Sequence, residues 1–352
     1  MKVLVTGHMG YIGSVMVPFF QAAGHEVVGL DSGYFDGCDF GDGPASIPEL
    51  RVDVRDVRAA DLEGFDAVVH LAGLSNDPVG NLDPNVTYAI NFTGSLRLAA
   101  AAKEAGVRRF VFASSCSIYG AAGEGAKDET STFNPVTAYA ESKVWVERGL
   151  AAFEDERFCP VYMRNATVHG ASPRLRGDLV VHYLVGTAIA SGEVLIKSDG
   201  TPWRPLVHVE DVSRAFLAAL EAPEDLVRGQ AFNIGADSQN FQVSDVAAIV
   251  EAIVPNSKVT YAPGGEPDLR SYQVDFSKFA HTLPNAVPQW TLERSVKDLY
   301  DAYRRNELNI DDLLGPRHTR LLRIEQLKNE GRLSDDLRWI GEASAVRAPL
   351  AS

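Results

Sequence analysis

Cysteine is scarce in this chain: Cys38, Cys116 and Cys159 are the three among 352 residues, and they lie far apart. That is too few for a disulfide framework and fits no zinc motif, so a reducing compartment, the cytoplasm, is expected. No run of eighteen apolar residues occurs, and the N-terminus lacks a basic stretch followed by an apolar core. Neither a membrane span nor an export signal is therefore expected. Positive charge is also short, with 33 Lys and Arg against 47 Asp and Glu and a net charge of −14. This balance argues against a nucleic-acid partner, while a local cluster of arginines still suits a small phosphorylated ligand. Repeats and low-complexity tracts are missing, and so is any group of His, Cys and carboxylates with ligand spacing, so no metal is expected.

What the chain does have is apolar residues, 45% of the total, enough for a sizeable core. From Lys2 to Leu206 short β-branched runs alternate with longer segments of helical period, the pattern of an α/β protein whose doubly wound parallel sheet carries helices on both faces. Strands are expected at Lys2 to Thr6, Glu26 to Leu30, Leu50 to Val54, Ala67 to Leu71, Arg109 to Ser114 and Pro160 to Arg164. Helices are expected at Ile12 to Ala23, Pro84 to Ala105 and Thr137 to Ala151, with Gly24 and Gly106 as stops. After Gly170 the alternation becomes irregular: a helix from Asp178, a strand near Val194, and helices near Asp211 and Val243. The expected division is a dinucleotide-binding domain over 1–170, to which 205–235 returns, and a smaller substrate lobe over 171–306 that closes on the sheet's carboxyl edge. Residues 307–352 form a charged, partly helical extension whose polar, Ala-rich end is expected to be disordered.

The first strand runs into Thr6-Gly7-His8-Met9-Gly10-Tyr11-Ile12-Gly13, and a helix follows at once. Glycines there permit a tight turn and close backbone approach to a pyrophosphate seated on the helix N-terminus. Asp31 ends the second strand, eighteen residues after Gly13, where a carboxylate accepts hydrogen bonds from an adenosine ribose and repels a 2′-phosphate. The cofactor expected is therefore NAD, not NADP. Asp53 has two readings, a partner for the adenine amino group or a turn-former, and Asn91 on a helix is more ambiguous still. Further along, Tyr139 and Lys143 are four apart and share a helix face. A phenol with a free pKa near 10 is a poor base at neutral pH, but a neighbouring ammonium favours the phenolate.

Combined with the loop Phe112-Ala113-Ser114-Ser115-Cys116-Ser117-Ile118-Tyr119-Gly120, these motifs resemble the extended short-chain dehydrogenases/reductases, the nucleotide-sugar epimerases and dehydratases, over residues 1–306. The resemblance implies a Rossmann-type domain, NAD as cofactor, a nucleotide-diphosphate sugar as substrate and a homodimer. It makes Ser115 the catalytic Ser/Thr, Tyr139 the base, and Lys143 the residue that also holds the nicotinamide ribose. NAD would be lined by Gly7, Gly10, Tyr11, Ile12, Gly13, Asp31, Asp53, Val54, Leu71, Ala72, Gly73 and Asn91, besides Tyr139 and Lys143. Substrate would meet Ser115, Ser117, Thr167 and Asp178. Arg204, in Trp203-Arg204-Pro205-Leu206-Val207-His208-Val209-Glu210-Asp211, would grip the diphosphate, with Arg270 of Glu266-Pro267-Asp268-Leu269-Arg270 as a second fork.

Departures from the family pattern narrow the reaction. Members that eliminate water across C5 and C6 carry an Asp-Glu pair just after the catalytic Thr; here Cys116 and Ser117 stand there, and dehydration is disfavoured. The cysteine some epimerases place two before the loop tyrosine is Ser117 here, and Cys116 reads as a small buried filler. Ala262 occupies the place of an arginine often found before Pro263. Asp178 stands where many members carry Asn; with Arg174 and Arg176 it either recasts sugar recognition or forms a surface ion pair. The expectation is an epimerase that oxidises a sugar hydroxyl transiently, with dehydration or ketone reduction as alternatives. A non-catalytic NAD sensor would lack the Tyr-Lys pair.

Overall fold

The computed structural model describes residues 1–75, 77–80, 82–121, 123, 125–263 and 270–341. Seven strands form one parallel sheet: β1 (Lys2–Thr6), β2 (Glu26–Asp31), β3 (Glu49–Arg51), β4 (Ala67–His70), β5 (Arg109–Ser115), β6 (Cys159–Asn165) and β7 (Ala231–Ile234), in spatial order β7-β6-β5-β4-β1-β2-β3. The order reverses at β1, which pairs with β2 on one side and β4 on the other, Thr6 lying beside both Leu30 and His70. The crevice beyond the carboxyl ends at such a reversal is where α/β sheets bind ligands.

Alternation in β1 sends Val3 and Val5 to one core and Leu4 to the other. The main helices are α1 (Gly13–Ala22), α2 (Ser95–Glu104), α3 (Ala138–Ala151), α4 (Val180–Ser191), α5 (Val209–Glu221), α6 (Val243–Ile253), α7 (Leu292–Arg305), α8 (Ile310–Leu314) and α9 (Arg320–Asn329). On one face of the sheet Met16 and Phe20 of α1 and Val212 and Phe216 of α5 are buried; on the other, Leu98 of α2 and Val146 and Leu150 of α3. A third core joins α4, α6 and α7 around Leu184, Val246 and Leu299, next to the strand Glu193–Ile196. No helix of the described residues is long and apolar enough to cross a membrane.

Three local expectations change. The third strand stops at Arg51, because Asp53 turns its carboxylate onto Arg55 N at 2.9 Å and caps a 3-10 turn, Val54–Asp56, where the sequence suggested continued strand. The helix expected from Pro84 to Ala105 contains a wide-turn π segment, Tyr88–Gly94, between Pro84–Thr87 and α2. The seventh strand was too short to announce itself: its four residues follow Gly229 within the segment expected to return to the first domain. Beyond Glu307 the charged extension does fold into helices, but it is also anchored, with Ile324, Leu327, Leu333 and Leu337 buried in the core that contains Leu4. The tail expected to be disordered lies, from residue 342 on, outside the described residues.

Candidate active site

A cleft of about 880 Å³ runs along the carboxyl edge of the sheet, within the range of small-molecule sites. Its floor is the glycine turn. Gly7 N donates to Leu30 O at 2.7 Å, and Gly7 has φ +72°, which a side chain disfavours. A Cβ on Gly7 would lie 2.8 Å from Ala72 N, and one on Gly13 would lie 2.3 Å from Gly7 O. The turn therefore closes only with glycine at both places, Gly10 N closing it on Gly7 O at 2.9 Å, and it brings the start of α1, with Ile12 and Gly13, to the cleft. A helix N-terminus reached through a turn that admits no side chain at Gly7 or Gly13 fits a dinucleotide diphosphate. The Tyr11 phenol points away and donates to Gly170 O at 2.8 Å.

At the β2 end, Asp31 lines the cleft and is held by two amides, Met9 N at 3.2 Å and Gly33 N at 2.9 Å. Asp53 and Val54 line it as well. The Asp53 carboxylate is gripped by Arg55, Nε to Oδ1 at 2.9 Å and Nη2 to Oδ2 at 2.6 Å. Burial would raise its pKa, but the Arg55 guanidinium outweighs burial and holds it below the usual carboxylate range. Its turn-forming role is thus present in the structure. Asn91 sits behind the Leu71-Ala72-Gly73 strip, 2% exposed, accepting from Leu74 N at 2.8 Å and donating to Leu74 O at 3.0 Å. With both ends of its amide engaged, it positions the Leu71-Ala72-Gly73 strip that lines the cleft.

The candidate reactive centre lies between β5 and α3. Ser115 ends β5 and accepts from Ser117 N at 3.2 Å, starting a 3-10 turn. Thr137 caps α3 through Ala140 N at 3.2 Å, and Tyr139 and Lys143 follow on one helix face. Lys143 is buried; its Nζ donates to Ala113 O at 2.7 Å and lies 5.6 Å from the Tyr139 ring centroid. Burial lowers its pKa to about 8, against the pull of Glu147. Behind the loop, Cys116 is fully buried, its thiol directed at Arg164 O at 3.1 Å and its pKa pushed up by burial, so the filler reading agrees with the geometry. Ser117 lines the cleft, and its Oγ is buried with no hydrogen-bond partner among the described residues.

Past this centre the cleft is lined by Thr167, Arg204 and Arg270, which the sequence singled out, and by Asn165 and Lys197, which it did not. Arg204 Nη1 donates to Trp203 O at 2.8 Å and also to Arg270 O, so the two expected arginines are neighbours. The stretch Glu266 to Leu269 quoted for this site lies outside the described residues. Asn165 Oδ1 is buried without a partner among the described residues, and Lys197 Nζ lies 3.9 Å over the Tyr183 ring. Asn165 had a legible signal, a polar residue ending a sheet strand; Lys197 had none. The expected surface trio is corrected: Arg176 forks Asp178 with two 2.9 Å bonds inside the cleft, whereas Arg174 turns to Asp39 at 3.0 Å. All three of Arg174, Arg176 and Asp178 have side chains at most 12% exposed.

Residues 3–235 match the model of the NAD dependent epimerase/dehydratase family. The UDP-glucose 4-epimerase of Mycolicibacterium smegmatis is 30% identical over 317 residues, 86% of this chain and 99% of that protein. Among solved structures, the UDP-glucose 4-epimerase of Thermotoga maritima with UDP-glucose superposes with a TM-score of 0.75 at 25% identity, over 88% of this chain and 100% of that one. The Thermus thermophilus UDP-glucose 4-epimerase in complex with NAD gives a TM-score of 0.73 at 26% identity, over 86% and 99%.

Proposed function

Because this chain belongs to the NAD-dependent epimerase/dehydratase family, we propose that it is a cytoplasmic, homodimeric nucleotide-sugar epimerase that inverts a ring carbinol, with C4 of a UDP-hexose as the first candidate. The observation that carries epimerisation over dehydration is the chemistry beside Ser115. Eliminating water asks for a general acid and base next to the reacting carbons. Cys116 is turned into the core, and Ser117 offers only a hydroxyl. Among the described residues lining the cleft, the carboxylates are Asp31, Asp53 and Asp178, held respectively by two amides, by Arg55 and by Arg176. Inversion needs only a group that moves the hydroxyl proton.

In this reading Tyr139 takes that proton and returns it, and the Lys143 ammonium one helical turn away favours the phenolate. Ser115 holds the same hydroxyl in place. Bound NAD supplies the reversible two-electron oxidation of the carbinol. The partnerless oxygens of Ser117 and Asn165 are offered to sugar hydroxyls, while Thr167 and Asp178 stand beside them in the wall. Arg204 and Arg270 take the diphosphate. NMR of the enzyme with UDP-glucose and no added reduced cofactor is expected to show UDP-galactose appearing. A 4-keto-6-deoxy product would replace the epimerase reading by a dehydratase, and a requirement for stoichiometric reduced cofactor would replace it by a ketoreductase.

Cofactor choice follows from Asp31. A second negative charge beside a fixed carboxylate costs several kcal/mol, so NAD should bind about a hundredfold more tightly than NADP. Asp31→Ala should narrow that gap by about tenfold or more. Calorimetric affinities that are equal in the unmodified protein would reduce Asp31 to a turn-forming residue.

A further inference from the structure

The family match ends at residue 235, and the Mycolicibacterium relative is spanned almost end to end by 86% of this chain. The C-terminal extension nevertheless reaches the cleft. Leu313 of α8 packs so closely on the substrate lobe that a Cβ on Gly177 would lie 1.9 Å from its carbonyl oxygen. Farther on, the Tyr34 phenol donates to Leu337 O, and Trp339 Nε1 donates to Ser32 O at 2.6 Å, tying the chain's end to the loop after β2. Between these anchors Arg320, the first residue of α9, enters the cleft wall with only 4% exposure.

Arg320 is a cation that forms no ion pair among the described residues; Asp178, the carboxylate that pulls its pKa up, offsets only part of the cost of burial. Among the described residues its one hydrogen bond is Nη2 to Arg174 O at 3.3 Å, and its guanidinium lies 3.9 Å over the Phe35 ring. No described carboxylate pairs with it; the nearby Asp178 is already forked by Arg176. Burial, and after it the neighbouring Arg176, lower its pKa to about 9. A buried guanidinium left this way is costly unless an anion arrives to meet it. The wall that carries Arg174 and Arg176 is fastened to the glycine turn, since Ser172 Oγ donates to Tyr11 O at 2.8 Å.

We propose that the C-terminal extension is a clasp on the cofactor, with Arg320 as the guanidinium that binds the diphosphate bridge of NAD opposite the glycine turn. The proposal rests on the glycine turn being the dinucleotide site. Two linked phosphates carry the charge and the paired oxygens that a guanidinium fork matches. The tethers from Leu337 and Trp339 hold the loop after β2 at the same time, so the extension closes over the cofactor end of the cleft.

Equilibrium dialysis of NAD and of adenosine, which lacks phosphate, against wild type and Arg320→Met tests the clasp. NAD should bind the variant about tenfold more weakly or worse, as expected for losing a charged hydrogen-bond donor, with adenosine affinity unchanged. The ligand-free variant should melt no lower than wild type, because a buried unpaired charge has gone. A loss of NAD affinity below about threefold overturns the clasp. Equal weakening of both ligands with a lower ligand-free melting temperature marks a structural arginine and also overturns it. If wild type binds no NAD, the dinucleotide site itself is misassigned. Should the methionine variant not fold, Arg320→Gln, which can still donate to Arg174 O, decides by the same comparison.

Discussion

Tyr139→Phe should abolish most turnover, by about 10²- to 10⁴-fold, the usual contribution of a positioned general base. The phenyl ring would keep what holds Tyr139 in place: the Thr137 cap of α3, the contact with Gly80, where a Cβ would lie 3.3 Å from Tyr139 Cβ, and the nearby Lys143 ammonium. Only the hydroxyl is removed. Since that group acts on the proton in flight, kcat and kcat/KM should fall together while KM changes little. The melting temperature and NAD affinity of the variant should match wild type. An active phenylalanine variant would end the base assignment, and a loss of NAD affinity as large as the loss of rate would make Tyr139 a cofactor-positioning residue.

Breaking the buried pair behind the serine loop should have the largest effect on stability. Arg164 and Glu147 are 5% and 7% exposed, and Arg164 donates from Nε at 3.0 Å and from Nη2 at 2.7 Å to the carboxylate. Arg164 also reaches Tyr119 Oη at 3.0 Å, and Ser114 Oγ donates to Glu147 at 2.5 Å. Glu147→Ala leaves the guanidinium charged, desolvated and without its carboxylate, which costs about 3–5 kcal/mol. Urea denaturation reads this directly as a shift in midpoint. A loss under about 1 kcal/mol would mean that water or a rearranged neighbour compensates the charge. Turnover should fall as well, although Glu147 does not line the cleft, because Ser114 precedes Ser115 on β5 and loses its tether.

Much of the site was open to reading because its parts are local. Gly7, Gly10 and Gly13 fall within one turn, and Asp31 ends the strand that follows α1, so a short stretch specifies the floor of the cleft. Tyr139 and Lys143 are joined by helical geometry alone. Asp53 resisted for a physical reason: a carboxylate at a strand end can cap the next turn or face a ligand, and here Arg55, two residues on, drew it into the cap. Asn91 was ambiguous because a helix position does not say which neighbours an amide will meet; in the fold it lies in the π segment and holds Leu74 by its backbone.

The sequence by itself determined the periodicity of the sheet, the glycine turn, the helical Tyr-Lys pair and the absence of acid and base beside Ser115. All of these depend on neighbours a few residues apart, whose spacing fixes their geometry through strand and helix repeats. Tertiary structure decided the rest: that Cys116 faces the core, that Arg176 takes Asp178 while Arg174 leaves it, and that Arg320 enters the cleft. The tether from Tyr34 to Leu337 crosses 303 residues of chain. No periodicity carries information over that distance; such a contact exists because Ile324, Leu327 and Leu333 have apolar surface to bury on the sheet-face core, and burying it brings Arg320 to the cleft wall.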